Sequence, residues 1–385
     1  GNTYGTDVQF AMNSGEVHNF VFNYPADFSV DENPRVFLPK HGNGDPLAGG
    51  DVATVTAMTS FHYLDHGHAA NSGRGATDGP AYDVVANASQ LGTVYGVAYS
   101  RQAQKVFTSA FLKRHAGMGP LGGGGIYVID ANASFDTTAD LGFLDLDELG
   151  IATSDEMSPY TDALTAVGSN VVTFSPVIGT NTERGMTGNK GDPSKDSAAW
   201  SQVGKLSLGD LDISEDGQYL YTINLYDRKL YEIDLTDPKN PVAPTAGNSA
   251  EKIKSFDIPD TCTEAGAGEY RPFALKVARG KVFVGITCSG ENADGSLAGG
   301  TAVDMKGSIY EFDVATDQWA TLQNLNLLLT IEMLINLGIL GDQLGMLIGS
   351  MENHLSQILS LMVAVICLLG CLLYTSDAAD EEDSV

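Results

Sequence analysis

The chain has 385 residues, 43% of them hydrophobic and 18% charged, with 44 Gly and a mean hydropathy of −0.05. This is globular composition, long enough to bury a large core, and it excludes disordered and fibrous classes. With 49 acidic residues against 21 basic ones the formal charge is −28, a field that repels phosphate and excludes nucleic acid as a partner.

Residues 1–50 show no initiator Met and no signal-like apolar stretch, and read as an N-terminal β segment or lead-in of a fragment or mature chain. Strand chemistry starts in Asp51–Tyr63 (DVATVTAMTSFHY). It runs into HYLDHGH, where His62, His66 and His68 stand with Asp65. Three imidazoles at this spacing are a candidate site for a divalent metal ion, and so acidic a chain leaves room for a calcium site of another kind elsewhere. The alternative is ordinary surface histidines in a polar loop, since Gly67 and AANSGRG follow.

Three segments then repeat one layout. The first is Gly96–Ser100, a turn RQAQ, Lys105–Lys113 and Gly125–Asp130. The second is Leu208–Ile213, a turn SEDG, Gln218–Asn224 and Leu230–Leu235. The third is Phe273–Val277, a turn ARG, Lys281–Thr287 and Ser308–Val314. Most runs are rich in β-branched and aromatic residues and are bounded by turn chemistry. The closing strands IYVID, LYEID and IYEFD nearly superimpose. A further strand is expected at Val171–Pro176, long insertions or degenerate blades such as one within 140–180 are expected between the segments, and no amphipathic helix stands out before residue 320. Repeated antiparallel meanders predict an all-β fold over 51–320, an incomplete β-propeller of four-stranded blades, with an all-β sandwich as the alternative.

The text LDISEDGQYLYTINLYDRKLYEIDL resembles the repeat of YVTN-type β-propellers. The wider text from Val94 to Asp130, with RPFALKVARGKVFVGITCSGE, resembles a propeller region of large bacterial surface proteins that carry serine–aspartate-repeat B-like domains. The resemblance covers roughly residues 50–316 and implies secretion and surface display in a bacterium. It implies no particular reaction.

Other motifs have plainer readings. Gly117–Gly122 (GMGPLG) satisfies G-x-G-x-x-G but lies between two strands, where a dinucleotide site needs a strand before and a helix after. Asp210, Asp212, Ser214 and Asp216 imitate a calcium loop, yet the sixth place is Glu215 and the twelfth is Tyr221, so Ser214–Gly217 reads as a tight turn. No G-x-S-x-G, HExxH or CxxC occurs.

In a meander blade the connections after the second and fourth strands share one face. Cys262 precedes the first strand of the third segment and Cys288 follows its second strand, so both reach that face of one blade, and a Cys262–Cys288 disulfide is expected. The alternative is two free thiols in an acidic loop. The same topology sends Arg114, His115, Asp210, Asp227, Arg228, Arg271 and Lys306 to that face as candidate ligand-binding residues. Ion pairs that merely hold loops are the competing reading.

The chain changes character after residue 320. No Lys or Arg follows Lys306, and 321–370 holds 15 Leu with no Phe, Tyr or Trp. Codons permitted for Leu328–Ala364, read in another frame, restore Lys, Arg and aromatic residues. This is the pattern a frameshift leaves, so 321–370 is expected to be a frameshifted segment, helical over Leu325–Leu369 if it folds at all, with a genuine membrane or core helix as the alternative. CLLYTSDAADE, from Cys371, resembles a translated sequencing adapter, which makes 371–385 an artefact. The apolar run Ile358–Tyr374 has 17 residues, short of the ~20 that span a bilayer. No membrane insertion is expected if this tail is not protein.

Together these features predict a secreted or cell-surface propeller that binds a glycan, a protein or a matrix ligand through its loop face without catalysis. The rival is a propeller lyase or hydrolase with its site on the same face.

Overall fold

The structure is a computed structural model that describes residues 33–64, 82–132, 134–155, 177–194, 196–262, 266–290 and 306–326. Among the described residues, fifteen strands, with a few single-turn helices, form four antiparallel sheets. The first sheet holds β1 (Arg35–Pro39), β2 (Thr56–His62) and β3 (Asp83–Asn87). The second holds β4 (Val94–Ser100), β5 (Lys105–Ala110), β6 (Gly125–Asp130) and β7 (Gly142–Asp145). The third holds β8 (Leu208–Ile213), β9 (Tyr219–Asn224), β10 (Lys229–Asp234) and β11 (Ile253–Asp257). The fourth holds β12 (Tyr270–Ala278), β13 (Lys281–Cys288), β14 (Lys306–Asp313) and β15 (Gln318–Asn326). Strand order follows chain order in each, so each sheet is a meander, as the three repeated segments imply.

Alternation along each strand explains the packing. On β6, Tyr127 and Ile129 face the first sheet while Ile126 and Val128 face the third, because successive side chains leave opposite faces of a strand. One core, with Met58, Leu91 and Val106, fills the space between the first two sheets. A second, with Phe107, Leu211 and Ile233, lies between the second and third. A third, with Tyr221, Phe273, Val284 and Phe312, lies between the third and fourth. Each fully buried side chain of this kind contributes roughly 1.5–3 kcal/mol. The leading strands run side by side, with β8 between β4 and β12.

Turn chemistry closes one end of the meanders. Arg279 and Gly280 join β12 to β13 with φ of +54° and +69°, the two-residue geometry whose twist matches the flanking strands. Ser214–Gly217 is a tight turn, as expected: the Gly217 N–H donates to the Ser214 carbonyl at 2.8 Å, and Asp216 accepts from the Ser214 hydroxyl at 2.6 Å.

Several expectations change. The strand expected at Asp51–Tyr63 starts at Thr56, because 51–54 turn and the Val55 N–H donates to the Val52 carbonyl. Of the stretch 140–180, where long insertions or a degenerate blade are expected, the described residues hold Gly142–Asp145, which pairs with β6 as the fourth strand of the second sheet. Paired strands extend on both sides of the expected 51–320 span, since β1 joins β2 and β15 crosses residue 320. Leu325 and Asn326, placed at the start of a helix by the sequence reading, instead pair with Gly307 and Lys306 as the end of β15. Val171–Pro176, the remainder of the Leu-rich stretch and Ile358–Tyr374 lie outside the described residues; among those described, no helix is long and apolar enough to cross a membrane.

This sets where the chain can be cut. Trp319 of β15 stacks on Phe312 at 4.8 Å between ring centroids and meets Tyr310 edge-on at 6.5 Å. A chain ending at Asn326 should therefore melt several degrees higher than one ending at Asp317, since losing β15 removes ~2–3 kcal/mol of aromatic packing. Equal melting temperatures in a thermal scan would show that β15 adds nothing.

Candidate functional site

At one end of the sheets lie the β1–β2, β3–β4, β5–β6, β7–β8, β9–β10, β11–β12 and β13–β14 connections, and hydrogen bonds join several of them. The β1–β2 loop meets the β5–β6 loop through Gly44 N–H to His115 O at 2.9 Å and Gly117 N–H to Gly44 O at 3.0 Å. The β3–β4 link joins them through Thr93 N–H to Gly117 O at 3.1 Å. Asn181, in the long β7–β8 connection, donates to Asp45 at 2.9 Å and accepts from Met118 N–H at 2.8 Å. Ser207 bonds Ala110 O and Gly123 O, and its own carbonyl accepts from Leu225 N–H. Ser289 N–H reaches Glu269 O at 3.0 Å, tying the start of the β13–β14 loop to β12.

The glycine motif belongs to this network. A methyl at Gly119 would collide with the Leu91 carbonyl, so GMGPLG is a place where two backbones cross. Strands lie on both sides of it.

Of the candidate residues, Arg114 and His115 share one cluster. His115 sits at φ +67°, its N–H donates to Asp196 at 2.6 Å, and its Nδ1 is 2.8 Å from the Ser194 hydroxyl. Arg114 Nε donates to the Asp196 carbonyl at 3.4 Å. The organiser of this cluster is Arg184, which the sequence reading missed. Arg184 grips Asp196 with Nε and Nη2 at 3.0 and 2.9 Å. Its Nη2 also reaches the Lys113 and Ala116 carbonyls. The pair is fully buried, with side chains 1% and 0% exposed. Burial pushes the His115 imidazole below its ordinary pKa, Arg114 and Arg184 add to this, and Asp196 opposes it. Only weak signals in the sequence pointed here: NTERGMTGNKGDPSKD is polar and Gly-rich, and pairing across such a loop has no period.

A second cluster forms between the third and fourth sheets. Arg228, at φ +61°, ion-pairs with Glu269 and lies over the Tyr270 ring at 4.7 Å. Asp227 accepts from the Tyr231 hydroxyl and from Lys229 N–H at 3.1 Å; burial raises its pKa. Beside them, Cys262 and Cys288 form a disulfide with Cα atoms 5.3 Å apart, as expected, packed with Ala267 and Tyr270. Arg271 lies in β12 opposite Thr287. Lys306 opens β14, partly buried.

Asp210 does not belong with either cluster. It sits within β8, where Oδ2 accepts from Leu275 N–H of β12 at 3.3 Å and Oδ1 from Leu211 N–H at 3.0 Å. The reason is strand geometry, because that position points toward the neighbouring leading strand. The metal candidate divides in the same way. The His62 Nδ1 lies 3.0 Å from the Asn33 carbonyl, while Asp65, His66 and His68 lie outside the described residues. No group of three His, Cys, Asp or Glu able to hold a metal occurs among the described residues.

No protein-family model matches the chain. Over 226 residues, 58% of its length, it is 28% identical to Colossin-D of Dictyostelium discoideum. That match spans 20% of Colossin-D, so the chain covers about a fifth of the curated relative. A solved structure of a candidate 6-phosphogluconolactonase from Bacteroides fragilis is 15% identical, with a TM-score of 0.24, covering 77% of this chain and 82% of that one.

Proposed function

We propose that the four sheets are consecutive blades of a β-propeller, secreted or displayed at a cell surface, whose loop-bearing end binds a glycan, protein or matrix ligand without catalysis. The observation that carries this reading is the hydrogen-bond network that ties the β1–β2, β3–β4, β5–β6 and β7–β8 connections into one platform at one end of the sheets. A rigid scaffold that presents loops at one end is the usual arrangement for recognition. The parallel course of β4, β8 and β12 along one side supports the propeller. The Cys262–Cys288 disulfide supports an oxidising compartment.

The platform charges are engaged within the protein: Arg184 with Asp196, Arg228 with Glu269, Asp227 with Tyr231. This favours binding by a shaped, pre-organised surface over proton transfer by freely titrating groups. The test is a glycan and matrix-protein array probed with the full chain. Arg228→Ala, which leaves the fully buried Arg184–Asp196 pair untouched, should weaken any captured ligand at least ten-fold. A ligand whose binding is unchanged by both Arg228→Ala and Lys306→Ala would move the site off this face.

A further inference from the structure

The tripeptide Asn-Ala-Ser occurs twice, at Asn87–Ser89 and at Asn132–Ser134. Both fit Asn-x-Ser with x other than Pro, the acceptor pattern for an N-linked glycan, a bulky and hydrated group that belongs on the surface of a secreted chain. The three residues are the same, so only their setting separates the two.

At Asn87 the setting is closed. Asn87 ends β3, opposite Thr56 of β2, and its N–H donates to the Gln90 side chain at 2.9 Å. Gln90, 7% exposed, donates in turn to the Asp136 and Ala139 carbonyls at 3.0 and 2.7 Å. The next two N–H groups are held by the β1–β2 connection: Ala88 donates to the Val55 carbonyl at 2.7 Å and Ser89 to that of Ala53 at 3.1 Å. An acceptor peptide must leave the surface to enter an enzyme, and this one is bonded to two other segments.

At Asn132 the setting is open. Asn132 and Ser134 are exposed and belong to neither strand nor helix. The Asn132 N–H donates to the Asp130 carboxylate at 3.0 Å, a local turn that asks nothing of the rest of the fold. Its Nδ2, the atom that a glycan would join, donates to the Gln104 side chain at the surface, and water replaces such a bond at little cost. Asp130 closes β6 opposite Lys105, whereas β6 begins at Gly125, where the β5–β6 loop of the platform ends. About 17 Å of strand separates the two ends.

We propose that Asn132 is a glycosylation site that carries an N-linked oligosaccharide on the end of the sheets opposite the platform. This rests on the secreted or surface-displayed reading above. In the transfer Nδ2 loses a proton and bonds to the anomeric carbon of the sugar. The bond from that carbon to the oxygen of a lipid pyrophosphate donor breaks, and the lipid pyrophosphate leaves with the electron pair. The glycan lies over the β4–β5 turn, which Ala131 N–H joins through the Gln104 carbonyl at 3.0 Å, and leaves the platform clear for its own ligand.

The test is the full chain secreted behind a leader peptide from a eukaryotic cell and mapped by mass spectrometry before and after peptide N-glycosidase, which turns a glycosylated Asn into Asp. Position 132 should be recovered as Asp and Asn87 unchanged. Asn132→Gln should remove the glycan and leave the melting temperature of the deglycosylated chain where it was. Ser134→Ala should lower occupancy roughly ten-fold or more, and Ser134→Thr should restore it; a merely structural role for Ser134 would move neither. A bare Asn132 in a secreted chain with 262 linked to 288 would overturn the proposal and leave the secreted reading standing. So would a glycan on Asn87 in place of Asn132. A glycosylated Asn132 beside free thiols at 262 and 288 would keep the acceptor and count against the oxidising compartment.

Discussion

Asp196→Ala should destabilise the protein by about 3–5 kcal/mol, read as a lower midpoint in urea denaturation. The substitution leaves the Arg184 guanidinium, 1% exposed, without its anion in a place where water cannot replace it. Its Nη1 already has no hydrogen-bond partner, so Nε and part of the Nη2 bonding would join it in being unsatisfied. The His115 N–H loses its acceptor at the same time. Lys229–Asp257 is the comparison: Asp257 is 86% exposed there, and Asp257→Ala should cost under about 1 kcal/mol, because exposed pairs gain little over water. Replacing both partners, with Arg184→Met and Asp196→Ala together, should cost less than Asp196→Ala alone, since no buried charge is then stranded. If Asp196→Ala and Asp257→Ala cost the same, the Arg184 pair does not pin the β7–β8 connection to the β5–β6 loop.

Most of the sheet content was legible because strands announce themselves locally. Tyr-rich and β-branched runs such as YLYTIN and KVFVGIT, each ended by turn residues, need only their own sequence to be read. Strands without such runs were missed or misplaced. β7 is four residues, GFLD, between polar loops, and its pairing with β6 is set by the meander rather than by its own composition. β15 ends in Leu325 and Asn326, where the Leu-rich stretch reads as the start of a helix, but its register with β14 is fixed by neighbours, and tertiary pairing overrides propensity.

The platform was legible only in outline. Chain topology alone sends Cys262, Cys288, Arg228 and Glu269 to one end, because a meander fixes which connections share an end. It does not say which loop residues meet. Arg184 and Asp196 lie 12 apart in a segment without periodicity, and Lys113 and Ala116, their backbone partners, are some 70 positions earlier. Asp210 was misassigned for the opposite reason. Its position at the start of a strand suggested the rim, whereas its side chain follows the alternation of β8 toward β12.

Breaking the disulfide should have the other large effect. Cys262→Ala with Cys288→Ala should lower stability by about 3–4 kcal/mol, the loop-closure figure for two positions 26 apart. Both half-cystines are buried, 0% and 2% exposed, so Ala adds the loss of packing against Ala267 and Tyr270 without burying a new polar group. The bond holds the β11–β12 loop to the end of β13, and three backbone bonds depend on that closure: Ala267 N–H to Cys262 O, Gly290 N–H to Ala267 O and Ser289 N–H to Glu269 O. Glu269 in turn anchors Arg228. Loss should therefore be steepest at the third and fourth sheets, with amide protection falling first at Tyr270 and Cys288 and last at Val106. Non-reducing peptide mapping should recover 262 linked to 288. Recovery of both thiols alkylated without reductant, or a double variant as stable as the parent, would show that the bridge does not hold this corner of the platform.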